Sequence, residues 1–435
     1  MSMIETDTKK QIPEGWISSA LNEKTYFKLV GSGVGYWKGL KNYISTKSVQ
    51  GTKIVEIEDE ITYNTRPSRA NMQPKIGRVA FAKMKDTSKV LLINKEIQDH
   101  YILSTGFSLI EPKISCEYLF QVFQSERFNH YKNLYSEGST QQAVSNDDYR
   151  NIYIKFPQSF TEQQKIVDLL TTADKAIEKT DQLIEKYKRI KEGLMLDLFR
   201  YGIDDHGQLR SEETHRFKDS PLGRIPEEWE IVSLGKRCAE GGGSIQTGPF
   251  GSQLHAKDYK EEGVPIITVE HLSERKILHQ NLPLVGEADY KRLNKYVLQF
   301  GDLVFSRVGA IDRCSFTSKK EEGWLFSGRC LRVRPGKLFD STFLSYLLNY
   351  VSSRQWILNN SVGSTMHCLN TTILFNLPVI CPPTTEQSRI ASALASTDAT
   401  IEEEDNYRQK LLALKRGLME DLLSGTVRVN HLIKE

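Results

Sequence analysis

The chain has 435 residues and a mass of 49.7 kDa, more than one compact core holds, so two or three domains are expected. Its composition, 39% hydrophobic and 26% charged with a mean hydropathy of −0.43, is that of a globular protein, and no run reaches the roughly eighteen apolar residues of a membrane span. Net charge is only +3, from 58 basic and 55 acidic residues, so any affinity for nucleic acid must come from how charge is distributed.

Residues 1–11 read as a polar N-terminal tail without an apolar signal core, which points to a cytoplasmic protein. Six cysteines stand singly with no C-x-x-C pair, a pattern of neither a disulfide framework nor a zinc cage. A first globule is expected over 12–158, opening on Ile12-Pro13-Glu14-Gly15-Trp16. A long helix follows over 159–201, with Pro157 before it, Thr-x-Glu capping chemistry near the helix entry and Gly202 as its stop. A connector, 202–224, leads to a second globule over 225–383, opening on Ile225-Pro226-Glu227-Glu228-Trp229. A second helix spans 384–424 behind Pro382-Pro383, stopped by Gly425, and 425–435 form a C-terminal tail.

The two helices repeat one another. Thr161–Phe199 aligns without a gap on Thr385–Leu423 at an offset of 224, with 16 of 39 positions identical, including Thr-Glu-Gln at the start and Gly-Leu-Met-x-Asp-Leu near the end. The globules repeat more loosely. Gly77-x-Val79-x-Phe81-x-Lys83 matches Gly301-x-Leu303-x-Phe305-x-Arg307, and Ser136-x-Gly138-Ser139-Thr140 matches Ser361-x-Gly363-Ser364-Thr365. Apolar residues recur at alternating spacings of four and three (Ile166, Leu170, Ala173, Ile177, Ile184 and onward; Ile390, Leu394, Ile401, Leu411, Leu414, Leu418, Leu422), interrupted by Thr180 and Lys191. Rods of roughly 58 Å are too long for a small globule to cover, so the two helices are expected to pair as a coiled coil.

Positive charge favours the globules modestly: 19 basic against 15 acidic residues over 12–155, and 18 against 16 over 225–383. Local clusters say more. Tyr36-Trp37-Lys38-Gly39-Leu40-Lys41, Lys47, Arg66-Pro67-Ser68-Arg69, Lys75 and Arg78 gather in the first, and Gly248–His255, Ser306-Arg307, Arg313 and Gly363–His367 in the second. Glycine turns bearing Ser, Thr, Gln and Arg bring amides and short donors to phosphates, and Arg and Gln read base edges bidentately. Ordinary solvated surface loops are the competing explanation for any one of these residues. Nothing looks catalytic. Gly31-x-Gly33-x-Gly35 lacks dinucleotide spacing, no Walker loop occurs, Cys381-Pro382-Pro383-Thr384 has the wrong residues around its prolines for a methyltransferase motif, and the nine histidines never reach metal spacing.

Globule, helix, globule, helix resembles the specificity subunits of type I restriction-modification enzymes. The resemblance rests on Ile-Pro-Glu-x-Trp at 12–16 and 225–229, Gly-Asp-Leu-Val-Phe-Ser-Arg at 301–307, Gly-Ser-Thr at 138–140 and 363–365, Pro-Pro-x-x-Glu-Gln at 382–387, and the helix ending at 411–423. It covers all but about the first ten residues, with one departure: a single proline, Pro157, where the second repeat has two. It implies an α+β fold class: two mixed α/β target recognition domains, separated by two long helices packed as an antiparallel coiled coil with an internal pseudo-two-fold repeat. Each domain would read one half of a bipartite, asymmetric double-stranded DNA site. The helices would fix the half-site spacing and dock two methyltransferase subunits, with restriction subunits in the same assembly. S-adenosylmethionine, ATP and Mg²⁺ would belong to those partners, and this chain would be no enzyme.

The DNA contacts expected in the first domain are Lys47, Arg66, Arg69, Lys83, Ser139, Thr140 and Gln141. In the second they are Phe250, Ser252, Gln253, His255, Arg307, Arg313, Ser364, Thr365 and His367. Lys83 and Arg307 follow alternating apolar runs, which would place both at a strand end. The competing class is a coiled-coil scaffold whose globules bind protein, which predicts no salt-sensitive DNA affinity. A self-sufficient enzyme is disfavoured, since no segment is left to house a catalytic domain.

Overall fold

Short runs rich in Val, Ile, Phe and Tyr make the first globule strand-rich. A computed structural model describes residues 12–136, 142–249, 253–255, 258–363 and 367–433. In chain order the first globule holds β1 (Trp16–Ala20), β2 (Phe27–Val30), β3 (Lys41–Ile44), β4 (Val49–Gln50), β5 (Lys53–Ile54), β6 (Asp59–Ile61), β7 (Ala70–Met72), β8 (Val79–Ala82) and β9 (Val90–Leu92). Helix α1 (Lys95–His100), strands β10 (Tyr101–Ser104) and β11 (Phe107–Pro112), helices α2 (Cys116–Gln124) and α3 (Glu126–Leu134), and β12 (Tyr153–Pro157) complete it. Ser115 and Ser125 cap α2 and α3 by accepting from the amides of Tyr118 and Phe128.

The second globule repeats this plan. It holds β13 (Phe217–Lys218), β14 (Ile225–Pro226), β15 (Glu230–Ser233), α5 (Leu234–Glu240), β16 (Ser244–Thr247), β17 (Tyr259–Lys260), β18 (Val264–Ile267), β19 (Leu284–Val285) and α6 (Glu287–Arg292). Then come β20 (Leu303–Ser306), β21 (Cys314–Phe316), β22 (Leu325–Phe326), β23 (Cys330–Arg334), α7 (Ser341–Asn349), α8 (Val351–Asn360), α9 (Thr371–Asn376) and β24 (Pro378–Cys381). The long helices are α4 (Phe160–Arg200) and α10 (Thr384–Ser424), each of 41 residues.

Each globule opens and closes on one antiparallel pair, β1 with β12 and β15 with β24, which hands the chain to its long helix. Between them lie a central sheet (β2-β11-β8-β9; β16-β23-β20-β21) and an outer sheet (β6-β3-β10-β7; β17-β19-β18-β22). The alternation along the central strands explains the layering. Val79 and Phe81 pack in one cluster with α2, α3 and the long helices, whereas Ala80 and Ala82 pack against the outer sheet with Ile44 and Leu103. Leu303 and Phe305 split from Val304 in the same way in the second globule.

The chain divides into two compact units, Met1–Leu183 with Glu404–Glu435, and Ile184–Glu403. Each contains one globule, the first part of the long helix that follows it and the last part of the other. In the first unit Ile166, Val167 and Leu170 of α4 share a core with Met419, Leu422 and Leu423 of α10. In the second, Ile390, Ala391 and Leu394 share one with Leu198 and Phe199. The two helices pair antiparallel as expected, and both ends of each helix are in addition absorbed into globular cores. The stripe also departs from the expected heptads at Leu414, which is 56% exposed, as is its repeat mate Ile190 at 46%.

Ion pairs fix the helix direction. In the first unit Asp181 pairs with Arg408, and Asp174 with Lys415 at 2.5 Å, so numbers rise on one helix as they fall on the other: antiparallel. In the second, Lys191 meets Asp398 at 2.8 Å, the repeat mate of the Asp174–Lys415 bridge. Lys191 thus breaks the apolar pattern for an ion pair, and Thr180 does so with its hydroxyl bonded to the Ala176 carbonyl.

The repeated Thr-Glu-Gln is a fastening more than a cap. Gln163 accepts from the Ser115 amide at 2.8 Å and donates to the Pro157 carbonyl at 2.8 Å; Gln387 does the same with Asp340 (2.8 Å) and Pro382 (2.9 Å). Buried Glu162 takes two bonds from Arg428, at 2.6 and 2.9 Å, and buried Glu386 takes two from Arg210. Segments read as a connector and a tail therefore supply the arginines that close the two units.

Buried Lys132 on α3 donates to the carbonyls of Ala82 and Thr87, and burial pushes its pKa down to about 8 from the ordinary 10.5, against a weaker opposing pull from Asp86. Between those two values the unfolded chain holds a proton that the folded chain has released, so stability rises with pH across that window. Below about pH 8 both states are protonated and the burial cost is present in full. Urea unfolding from pH 7.5 to 10.5 is expected to show the wild type gaining stability relative to Lys132→Met, with the difference flat below pH 7.5.

Candidate nucleic-acid interface

The two strand-end cations make the same backbone contacts in both units. Lys83 directly follows β8; its amide donates to the Gly106 carbonyl at 3.0 Å, and its carbonyl accepts from Val144 at 3.1 Å. Arg307 directly follows β20; its amide donates to the Arg329 carbonyl at 2.8 Å, and its carbonyl accepts from Leu369 at 2.8 Å. Val144 and Leu369 are repeat mates, so one backbone arrangement pairs a strand-end cation with the same position twice. Lys83 is half-buried, and burial lowers its pKa. The Arg307 side chain donates to the Gly328 carbonyl at 3.2 Å, which leans it onto the Ser327–Arg329 turn.

Ser139, Thr140, Gln141, Phe250, Ser252, Ser364 and Thr365 lie outside the described residues. Gly248, just before the second group, allows no side chain, since a Cβ there would stand 2.1 Å from the Ser327 carbonyl oxygen. This seats the start of the 248–255 loop on the turn that holds Arg307.

In the first unit Lys47 is exposed in the turn after β3, its amide donating to Ser45 Oγ at 3.1 Å, and Arg69 is exposed in the turn before β7. Arg66 is built into an aromatic stack. Its guanidinium lies 4.0 Å from the Tyr63 ring centre and 6.0 Å from that of Trp37, and its Nη1 donates to the Tyr63 carbonyl. Tyr63 in turn meets Trp37 at 5.3 Å and Tyr36 at 5.2 Å edge-to-face, with Tyr36 71% exposed. Arg78, in the same basic cluster of the sequence, is consumed by two bonds to Glu111 at 3.0 and 3.1 Å.

In the second unit Arg313 and His255 are exposed, His255 in a turn closed by its amide on Asp258 at 2.7 Å. His367 is exposed and paired with Ser361 Oγ at 2.6 Å. Gln253 is the weakest expectation as a base reader: its side-chain oxygen takes the Tyr296 hydroxyl at 2.8 Å, which makes it an internal brace. Sequence reading missed Arg329, exposed beside Arg307 in Ser327-Gly328-Arg329. The signal was there, a glycine turn carrying an arginine, but only the strand pairing joins it to Arg307. No helix among the described residues is long and apolar enough to cross a membrane.

The family described as "Type I restriction modification DNA specificity domain" matches this chain twice, over residues 4–188 and 226–413. Among its relatives, the type I restriction enzyme MjaVIII specificity subunit of Methanocaldococcus jannaschii is 28% identical over 292 residues, 65% of this chain and 64% of that protein. The putative MjaX specificity subunit of the same organism is 24% identical across 96% of this chain and 95% of its own. A chain solved in work on complex assembly and conformational transition of the type I R-M system shares the fold at a TM-score of 0.61, with 18% identity over 96% of this chain and all of that one. The type I restriction-modification S subunit of M. genitalium does so at 0.55, with 13% identity over 95% and 97%. Two family matches, one on each globule with its helix, and a shared fold across the whole length place this chain in the type I restriction-modification DNA specificity family.

Proposed function

We propose that this chain is the non-catalytic, cytoplasmic DNA-recognition subunit of a type I restriction-modification complex. Each globule reads one half of a bipartite, asymmetric site in double-stranded DNA, and the long helices fix the half-site spacing and dock two methyltransferase subunits. Restriction subunits join the assembly, and S-adenosylmethionine, ATP and Mg²⁺ bind those partners. The observation that carries this reading is the doubled placement of a strand-end cation, Lys83 and Arg307, bonded through their carbonyls to the repeat mates Val144 and Leu369, on two diverged globules borne by helices that share 16 of 39 aligned positions. Similar mounts with different faces are what a reader of two unlike half-sites requires. Successive major-groove windows lie roughly 34–36 Å apart on one face of B-DNA, a separation that helical mounts can hold and a flexible linker would blur.

The test is adenine methylation across the genome of cells carrying the chain with its companion methyltransferase, against cells lacking the chain alone. Loss of one bipartite motif is the expected result. An unchanged pattern, with the companion shown to be active, overturns the reading in favour of a protein-binding scaffold.

A further inference from the structure

Each unit ties a loop of its globule to its own long helix at equivalent places. The β4–β5 hairpin reaches α4 through Lys53 and Glu178 at 3.0 Å, and the Leu272–Ile277 turn reaches α10 through Lys276 and Glu402 at 3.6 Å. Glu178 and Glu402 are 224 apart and Lys53 and Lys276 are 223 apart, so these are repeat mates. Both pairs are exposed, and exposed ion pairs are screened and weak. Neither holds an angle alone.

One residue earlier the units differ: Thr52 in the first, Arg275 in the second. Arg275 has a φ of +55°, and its backbone N–H donates a hydrogen bond to the Cys314 carbonyl at 2.9 Å. Its guanidinium lies 3.3 Å from the Tyr346 ring centre, donates to Ser345 Oγ at 3.0 Å and ion-pairs with Asp398 on α10. The Tyr346 hydroxyl donates to the same carboxylate at 2.6 Å, and Lys191 of α4 closes the cluster. In the first unit the mate of Asp398 is Asp174, which keeps Lys415 but meets Gln121 at 3.3 Å where the second unit has Tyr346, and Thr52 is exposed.

We propose that Arg275 is a positioning residue that locks the second recognition domain's angle on its helix, and that the first domain, lacking it, is the compliant one. The inference rests on the bipartite-site reading above. Beyond the buried core that both units share with their helices, a mostly buried, multiply bonded guanidinium adds resistance to tilting that the exposed Lys53–Glu178 pair does not. The stiff domain sets register on DNA and the compliant one adjusts to it, so Arg275 limits the tolerated spacer length.

The experiment is methylome sequencing of cells expressing the full complex with wild-type chain, Arg275→Thr, Arg275→Lys or Thr52→Arg. Arg275→Thr is expected to raise methylation of sites whose spacer is one base pair off by about tenfold relative to correctly spaced sites, with both half-site sequences unchanged. Arg275→Lys is expected to restore part of the discrimination, and Thr52→Arg, an added brace at an exposed position, to sharpen it beyond wild type. Off-spacing methylation that stays at the wild-type ratio in both Arg275→Thr and Thr52→Arg overturns the proposal. So does a fall at all sites in parallel with lost thermal stability, the signature of a merely structural residue. Failure of the underlying reading would look different: no bipartite motif in the wild type.

Discussion

Glu386→Ala is expected to destabilise the second unit by about 3–5 kcal/mol, the cost of stranding a buried charge. The Glu386 side chain is 1% exposed and takes bonds from two Arg210 nitrogens, from Trp229 Nε1 at 3.1 Å and from the Ile203 amide at 2.9 Å. Without it Arg210, itself 7% exposed, keeps among the described residues the ion pair with solvent-facing Glu228 at 3.2 Å and a weaker pull from Asp204, and two further donors lose their acceptor. The surroundings leave no room to adapt. Gly202 holds φ at +69°, and a Cβ on it would stand 2.2 Å from Glu386 Oε1 and 2.4 Å from the Trp229 ring. At roughly 2–4 °C per kcal/mol for a unit of this size, calorimetry of the full chain should register a fall of about 6–20 °C in the transition of that unit. Glu162→Ala is the internal comparison. Arg428 is 28% exposed and can turn to water, so about 1–3 kcal/mol is expected there. Equal losses in the two variants would contradict the difference in burial.

This latch also marks where reading the sequence stopped. Thr-Glu-Gln and Gly-Leu-Met were legible because both helices carry them at a constant offset of 224. The partner arginines were not, because Arg210 and Arg428 are 218 apart in segments that do not align. An ion pair that spans 176 or 266 residues leaves no local periodicity. Charge clusters had the opposite weakness. Arg66, Arg69 and Arg78 look alike in a row of letters, yet Glu111 neutralises the last and aromatic rings claim the first. The placement of Lys83 and Arg307 at strand ends was legible, since alternation over Val79–Phe81 and Leu303–Phe305 sets strand and face together. That the two cations bond to the repeat mates Val144 and Leu369 was not, because backbone pairing across some sixty residues brings them there.

Arg66→Ala is expected to relax one base pair of the half-site read by the first domain, by about 1–3 kcal/mol of discrimination, and to leave the other half-site unchanged. An arginine held 4.0 Å from a tyrosine ring centre and bonded to the same residue's carbonyl has lost much of its rotamer freedom before DNA arrives, so less order remains to be imposed on binding. Nη1 is held by the Tyr63 carbonyl, and Trp37 and Tyr36 each meet that ring edge-to-face. A guanidinium fixed in this way suits the O6 and N7 acceptors of guanine, which a lysine cannot match bidentately. Arg66→Lys separates the two roles open to this side chain. If Arg66 reads a base, the lysine variant loses the same single position as alanine while retaining most non-specific affinity. If it grips phosphate, lysine keeps the full motif, and alanine weakens all sites alike with a salt dependence shallower by about one ion. Tyr63→Phe keeps the ring and the backbone carbonyl and is expected to read as wild type, whereas Tyr63→Ala removes the platform and should reproduce Arg66→Ala. The methylated motif, read position by position, decides among these outcomes.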